Sequence, residues 1–200
     1  MSSQAILAQS MVRYLILITS ILFTYESWTQ ERITWVQWEE GIQQSIDQDK
    51  KVIIDLYTKW CGWCKKMDNT TFSDSTIVDY INENYIAIKF DAEHRGDLIY
   101  GEEVYKFTKG GRRGYHALAA KMTHGRLRYP TIVFLDENAE VIQALPGFQS
   151  ANNLEKILTY FAGDHHKKTP WPIYQMDYDR KKNAPRTTNK NTRLVSGKGI

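Results

Sequence analysis

Val52-Ile53-Ile54-Asp55-Leu56-Tyr57-Thr58-Lys59-Trp60-Cys61-Gly62-Trp63-Cys64-Lys65-Lys66-Met67 is the stretch from which the fold can be read. Lys51–Tyr57 is a short, β-branched, apolar run without strict alternation, the pattern of a buried parallel strand. Asp55 sits inside it and needs a reason. Thr58 to Cys61 turn out of the strand, and Gly62 onward reads as a helix through Met67–Asn69. The chain has two cysteines, both here. A bridge between them closes a tiny loop and stabilises little. A disulfide scaffold needs more cysteines at wider spacing. Redox chemistry is the better reason for the pair.

A disulfide exchanger needs one thiolate that attacks and a second thiol that resolves the mixed disulfide. Two intervening residues at a helix start put both sulfurs within bridging range. Unpaired N–H groups and the partial positive charge there favour a thiolate and lower its pKa below the free value of ~8.5. Cys61 is therefore expected as the exposed nucleophile and Cys64 as the more buried resolving thiol. Zinc generally takes four ligands. The chain has no second cysteine pair, and His94, His116, His124, His165 and His166 show no ligand spacing around this one. No metal and no organic cofactor is expected, because the electrons reside on sulfur.

Outward from this stretch, Trp35, Trp38, Ile42 and Ile46 have helical spacing, which predicts a helix over Trp35–Asp49. Thr34 is its expected N-cap, with Gln37 at the capping-box position. Ser75–Asn84 reads as a helix and Tyr85–Asp91 as a strand. Glu93–Tyr115 is an irregular insert. Within it, Leu98–Tyr100 and Val104–Phe107 flank Gly101-Glu102-Glu103 as a hairpin, and Gly110–Gly114 is a basic turn. Tyr115–Thr123 is helical. Thr131–Leu135 and Glu140–Leu145 pair across Asp136-Glu137-Asn138, and Ser150 caps a helix over Ala151–Phe161. The order α-β-α-β-insert-α-β-β-α describes one mixed α/β domain.

An apolar fraction of 42% and a charged fraction of 24% suit a globular chain. A net charge of +3 singles out no partner, and no nucleic acid is expected. From Gly163 onward nine Lys/Arg face three Asp. That composition predicts a basic, solvated, flexible tail over 163–200, with Trp171 and Tyr174 able to dock. Arg13 precedes the apolar run Tyr14–Phe23, too short for the ~20 residues that span a bilayer. Residues 1–29 thus read as an export signal, with Met11 as a possible start, and 30–162 as the domain. Ser27 and Thr29 flank Trp28 as an imperfect cleavage site, so an uncleaved anchor is the alternative.

The quoted stretch resembles the active-site region of thioredoxin-fold proteins. Tyr129-Pro130-Thr131 resembles the segment in which that family holds a cis-proline, and a hydrophobic strand and turn follow it. The resemblance runs from Trp35 to Phe161. The Cys-Gly-Trp-Cys-Lys-Lys-Met sequence is similar to the periplasmic branch, which includes the C-terminal domain of the bacterial transmembrane thiol-disulfide interchange reductase. It implies a thioredoxin fold, a central mixed sheet flanked by helices, with the insert of 93–115 before the cis-Pro segment. Residue by residue, it implies Cys61 and Cys64 as the redox pair and Trp60 as the aromatic packed beside the nucleophile. Pro130 would be cis opposite the disulfide, exposing the backbone of Tyr129 to an extended substrate. Asp55 matches the buried acid behind the resolving thiol, with a raised pKa and a role as proton acceptor. Lys89 is its candidate partner, although the family's lysine falls at Ala87. Trp63 stands where thioredoxins proper have proline, and with Gly62 it shapes the surface that partners touch.

These features imply a protein-disulfide oxidoreductase acting on exported proteins, in the periplasm or outside the cell, with reductase or isomerase duty. Its partners would be protein thiols and disulfides and an upstream electron donor. The membrane enters only through the signal or an uncleaved anchor, and a monomer is expected. Two other readings remain open. One is a non-catalytic binding module with a vestigial or permanently bridged cysteine pair. The other is a carrier of a soft metal ion such as Cu(I).

Overall fold

The computed structural model describes residues 31–110 and 113–184. The expected export signal over 1–29, the possible start at Met11, Arg112 of the basic turn and the end of the tail from 185 onward lie outside them. The described chain runs β1 (Trp35–Val36), α1 (Trp38–Gln48), β2 (Val52–Tyr57), α2 (Gly62–Thr70), α3 (Ser75–Asn84) and β3 (Ile86–Asp91). The insert follows, with β4 (Leu98–Tyr100), β5 (Glu103–Tyr105), β6 (Phe107–Thr108) and β7 (Tyr115–His116). Then come α4 (Ala117–Met122), β8 (Thr131–Leu135), β9 (Val141–Pro146), α5 (Ala151–Ala162), a 3-10 turn (His165–Lys167) and α6 (Trp171–Asn183).

The unbroken apolar run of β2 is explained by its place at the centre of a sheet ordered β1-β3-β2-β8-β9. β1 and β2 run parallel to β3, whereas β8 is antiparallel to both β2 and β9. Side chains alternate between two apolar layers. Ile53, Ala87, Ile132 and Phe134 face α2, α3 and α5, where Met67, Ile77, Ile81, Leu154 and Leu158 are buried. Ile54, Leu56, Ile88 and Val133 face Trp38 of α1 and Leu118 and Met122 of α4. This is the thioredoxin fold, a mixed sheet with helices on both faces.

Three expectations are corrected. Trp35 does not open the first helix: Trp35 and Val36 pair with Ala87 and Ile88 as an edge strand. The helix starts at Trp38 with Gln37 as an N-cap that makes no side-chain cap bond. Thr34 instead donates its backbone N–H to Asn82 Oδ1 at 3.0 Å. Tyr115 belongs to β7, paired with Thr108, and not to the helix that follows. Within the tail expected to be flexible, 171–183 is helical. Trp171 and Tyr174 pack on the α5 layer, and Lys156 of α5 pairs with Asp179 at 3.2 Å. The insert hairpin is present as β4–β5, with Ile99 opposite Val104. No helix among the described residues is long and apolar enough to cross a membrane.

The close approach of α1 to the sheet rests on Gly41. A Cβ there would meet Ile88 Cγ1 at 2.4 Å and Val36 Cγ2 at 3.1 Å. Alanine gains about 1 kcal/mol of helix propensity, but overpacking costs about 1–3 kcal/mol. Gly41→Ala should therefore destabilise by about 1 kcal/mol, read as a lower urea midpoint at unchanged slope.

Candidate active site

β2 delivers the chain to the site. Its last residues are followed by a tight turn in which Cys61 N–H donates to Thr58 O at 3.1 Å. Cys61 is the N-cap of α2, and its Sγ accepts the Cys64 N–H at 3.0 Å. Cys61 and Cys64 form a disulfide with their Cα atoms 5.3 Å apart. The expected exposure of Cys61 is corrected: it is only 5% exposed, and Cys64 is the more buried of the two at 2%. In the bridged form the first sulfur is turned into the helix start, toward the Cys64 N–H, rather than out to solvent.

Aromatic side chains frame the pair. Trp60 and Trp63 are 49% and 57% exposed, high for residues of that size, and thus available to a partner. Trp60 meets Tyr129 edge-on at 6.0 Å, and Trp63 packs on Phe148 at 5.6 Å. Lys66 lies over both Trp63 and Phe148, at 4.7 and 5.4 Å. The Tyr129–Pro130 peptide is cis. Leu56 pairs with Thr131, so the register puts Tyr129-Pro130 beside the end of β2, next to the turn that carries Cys61. Burial, then the charges of Glu93 and Asp91, push the Tyr129 phenol up to about 12. Gly62, first residue of α2, has nothing within 4 Å of where a Cβ would be, which leaves the helix start open.

Asp55 is fully buried on the same sheet face as Ile53. Met67 of α2 packs in that layer. Cys64 is one helical turn before Met67 and is itself buried, so the carboxyl and the second cysteine face the same space. Lys89, opposite Asp55 on β3, brings its Nζ to 2.7 Å from Oδ2. It also ion-pairs with Asp68, one turn beyond Cys64. Its ammonium lies over the rings of Trp35, Tyr57 and Phe72 at 5.1, 5.2 and 5.7 Å. Asp55 Oδ1 has no hydrogen-bond donor among the described residues. Burial raises the Asp55 pKa to about 6 against the pull of Lys89. Burial also works against the Lys89 charge, but Asp55 and Asp68 outweigh it and hold the ammonium above its usual value. The carboxyl can thus take a proton near neutrality while Lys89 stays charged.

The insert reaches the site too, which sequence reasoning missed for Glu93. Trp60 Nε1 donates to Glu93 Oε1 at 3.0 Å, and the Arg113 guanidinium lies over the Trp60 ring at 5.2 Å. Asp68 and Phe148 were also missed. Asp68 could have been found from its i+4 spacing to Cys64, whereas Phe148 follows β9 with no local signal. Among the described residues no group of three or more His, Cys, Asp or Glu is placed to hold a metal ion.

Comparison with known proteins adds a family. The model of Thioredox_DsbH, described as a protein of unknown function, DUF255, matches residues 19–157. The uncharacterized protein B0495.5 of Caenorhabditis elegans is 31% identical over 67 residues, 33% of this chain and 9% of that protein. The thiol:disulfide interchange protein DsbD of Campylobacter jejuni is 28% identical over 119 residues, 58% of this chain and 17% of that protein. The chain therefore spans less than a fifth of either relative. The solved thioredoxin-fold protein from Helicobacter pylori is 14% identical with a TM-score of 0.49, covering 70% of this chain and 91% of that one.

The raised pKa of Asp55 has a consequence for stability. The folded state holds this proton up to about pH 6, the unfolded chain only to about 3.8. Stability is therefore lost as pH rises through that window. Asp55→Asn mimics the protonated form. Its effect should be more stabilising for the oxidised protein at pH 7 than at pH 4. Urea melts at the two pH values check this, and an equal effect at both would contradict it.

Proposed function

Because this chain belongs to the Thioredox_DsbH family, we propose that it is a thiol-disulfide oxidoreductase working through Cys61 and Cys64. The observation that supports this most is the Cys61–Cys64 bridge at the start of α2, with a buried carboxyl of raised pKa on the layer that Cys64 faces.

In the reductive direction the Cys61 thiolate attacks one sulfur of a client disulfide. A Cys61–client S–S bond forms and the second client sulfur leaves as a thiolate. The Cys64 thiol then gives its proton to Asp55 and attacks the Cys61 sulfur. The Cys61–Cys64 bond forms, and the first client sulfur leaves as a thiolate. Two electrons have passed to the client. An upstream dithiol must restore the reduced pair, and no other carrier is needed because sulfur stores the electrons. Trp60, Gly62, Trp63, Tyr129 and Pro130 form the surface that meets the client, with the Tyr129 backbone offered to an extended segment.

The favoured duty is reduction or isomerisation of exported proteins by a monomer, in the periplasm or outside the cell. Support comes from the apolar run Tyr14–Phe23 behind Arg13 and from the likeness to an interchange protein over 119 residues. Residues 30–162 would form the domain, and residues 1–29 the export signal.

Single replacements test the assignment. Cys61→Ser should drop reduction of a model disulfide protein to background. Cys64→Ser should accumulate a mixed disulfide visible on a non-reducing gel. Wild-type turnover in either variant would sink the proposal. So would client binding retained by both variants with no change in thiol titre, the behaviour of a non-catalytic binding module.

A further inference from the structure

The insert is fastened to the domain at both roots. Ala92 N–H donates to Tyr57 O at 2.8 Å, and His116 N–H donates to Ala92 O at 2.7 Å. Between those roots it sends two arginines to one cleft beside Trp60. That cleft, of about 340 Å³, is lined by Lys59, Asp91, Glu93, Arg95 and Arg113, all of them charged.

The two signs are not in the same condition. Both carboxylates are occupied. Glu93 accepts from Trp60 Nε1, and Asp91 accepts the Glu93 N–H at 2.9 Å and faces Lys59 at 3.9 Å. The two guanidiniums, in contrast, have no carboxylate within 4.0 Å among the described residues. Each lies over an aromatic ring instead, Arg95 over Phe107 at 4.5 Å and Arg113 over Trp60 at 5.2 Å. A guanidinium that rests on an aromatic ring and has no carboxylate partner keeps N–H donors for a planar oxyanion. One ring helps to place both. A Cβ on Gly114 would meet Phe107 Cζ at 2.4 Å, and Gly114 has a φ of +77°. The Phe107 ring thus supports Arg95 and abuts the residue that follows Arg113.

Resting on the oxidoreductase reading, we propose that this cleft is a specificity subsite. It takes an Asp or Glu side chain of the client protein, close in sequence to the cysteine that Cys61 attacks. The carboxylate is received by Arg95 and Arg113, with Lys59 adding long-range attraction. Trp60 carries the coupling: it touches Arg113 and Glu93 on the insert side and Tyr129 on the side of the cis-proline segment. An acidic residue bound in the cleft would therefore lie alongside the segment that receives the client backbone. The insert selects clients and takes no part in the sulfur chemistry.

The test uses three synthetic disulfide peptides that differ only in a Glu, Gln or Lys flanking the cysteine. At low ionic strength the wild-type full chain should reduce the Glu peptide about fivefold faster in kcat/KM, a size set by exposed ion pairs. The preference should fade in high salt. In the Arg95→Gln/Arg113→Gln variant the ratio should fall to near one. In Arg95→Glu/Arg113→Glu a Lys peptide should become the preferred substrate. A second readout needs no turnover: quenching of tryptophan emission in the oxidised protein by cysteine-free Glu and Gln peptides. Turnover without a Glu preference, or a preference that survives both double variants, overturns the subsite. Absence of turnover with arginine-dependent binding of the Glu peptide would keep the subsite and remove the oxidoreductase reading. Equal binding of both cysteine-free peptides overturns the subsite whether or not there is turnover.

Discussion

A carboxyl group at the centre of the sheet constrains what lies around it. Asp55 is fully buried on β2, the middle strand of the five. A lone ionised carboxylate there would cost several kcal/mol. Lys89 answers it from the adjacent strand, and that is possible only in the register that sets Asp55 opposite Lys89. A shift of one residue would move Lys89 to the other sheet face. The lysine in turn is kept charged by Asp55 and by Asp68 of α2, and lies over three aromatic rings. The α2 helix, which starts with the cysteines, is thereby tied to β3 as well as to β2. The position of the disulfide and the protonation of the group behind it share one set of contacts.

The second organising contact is at Trp60. Its ring touches Tyr129, its indole N–H is taken by Glu93, and its face is covered by Arg113. A residue that the sequence identifies only as a neighbour of the nucleophile is the point where the strand-turn-helix unit, the cis-proline segment and the insert meet.

What could be read from the sequence was local. The β2-turn-α2 unit, the β8–β9 pairing and the Ser150-capped helix each have their signal within a dozen residues, and each lies close to its expected bounds. The β4–β5 hairpin is legible for the same reason. β1 was not, because two residues become a strand only by pairing with Ala87 and Ile88 some fifty positions on. Trp35 meanwhile happened to fit the helical spacing of Trp38 and Ile42. Lys89 was visible as a candidate partner of Asp55, but the choice between positions 87 and 89 needed the register. The burial of Cys61 was illegible because it comes from the turn and helix start that fold around it. α6 was hidden by composition: its polar residues suggest solvation, and its anchoring comes from Tyr160 and Lys156 on α5.

That last helix changes where the cooperative unit ends. Tyr160 on α5 is covered by Trp171 and Tyr174 at 5.1 and 4.9 Å, and its hydroxyl donates to Thr169 O at 2.7 Å. Lys156 is 6% exposed, and its partner carboxylate belongs to Asp179. Removal of the chain beyond Gly163 would thus uncover a ring cluster and leave the Lys156 ammonium without its counter-ion. The remnant would carry every residue of the redox centre and yet expose a sticky face.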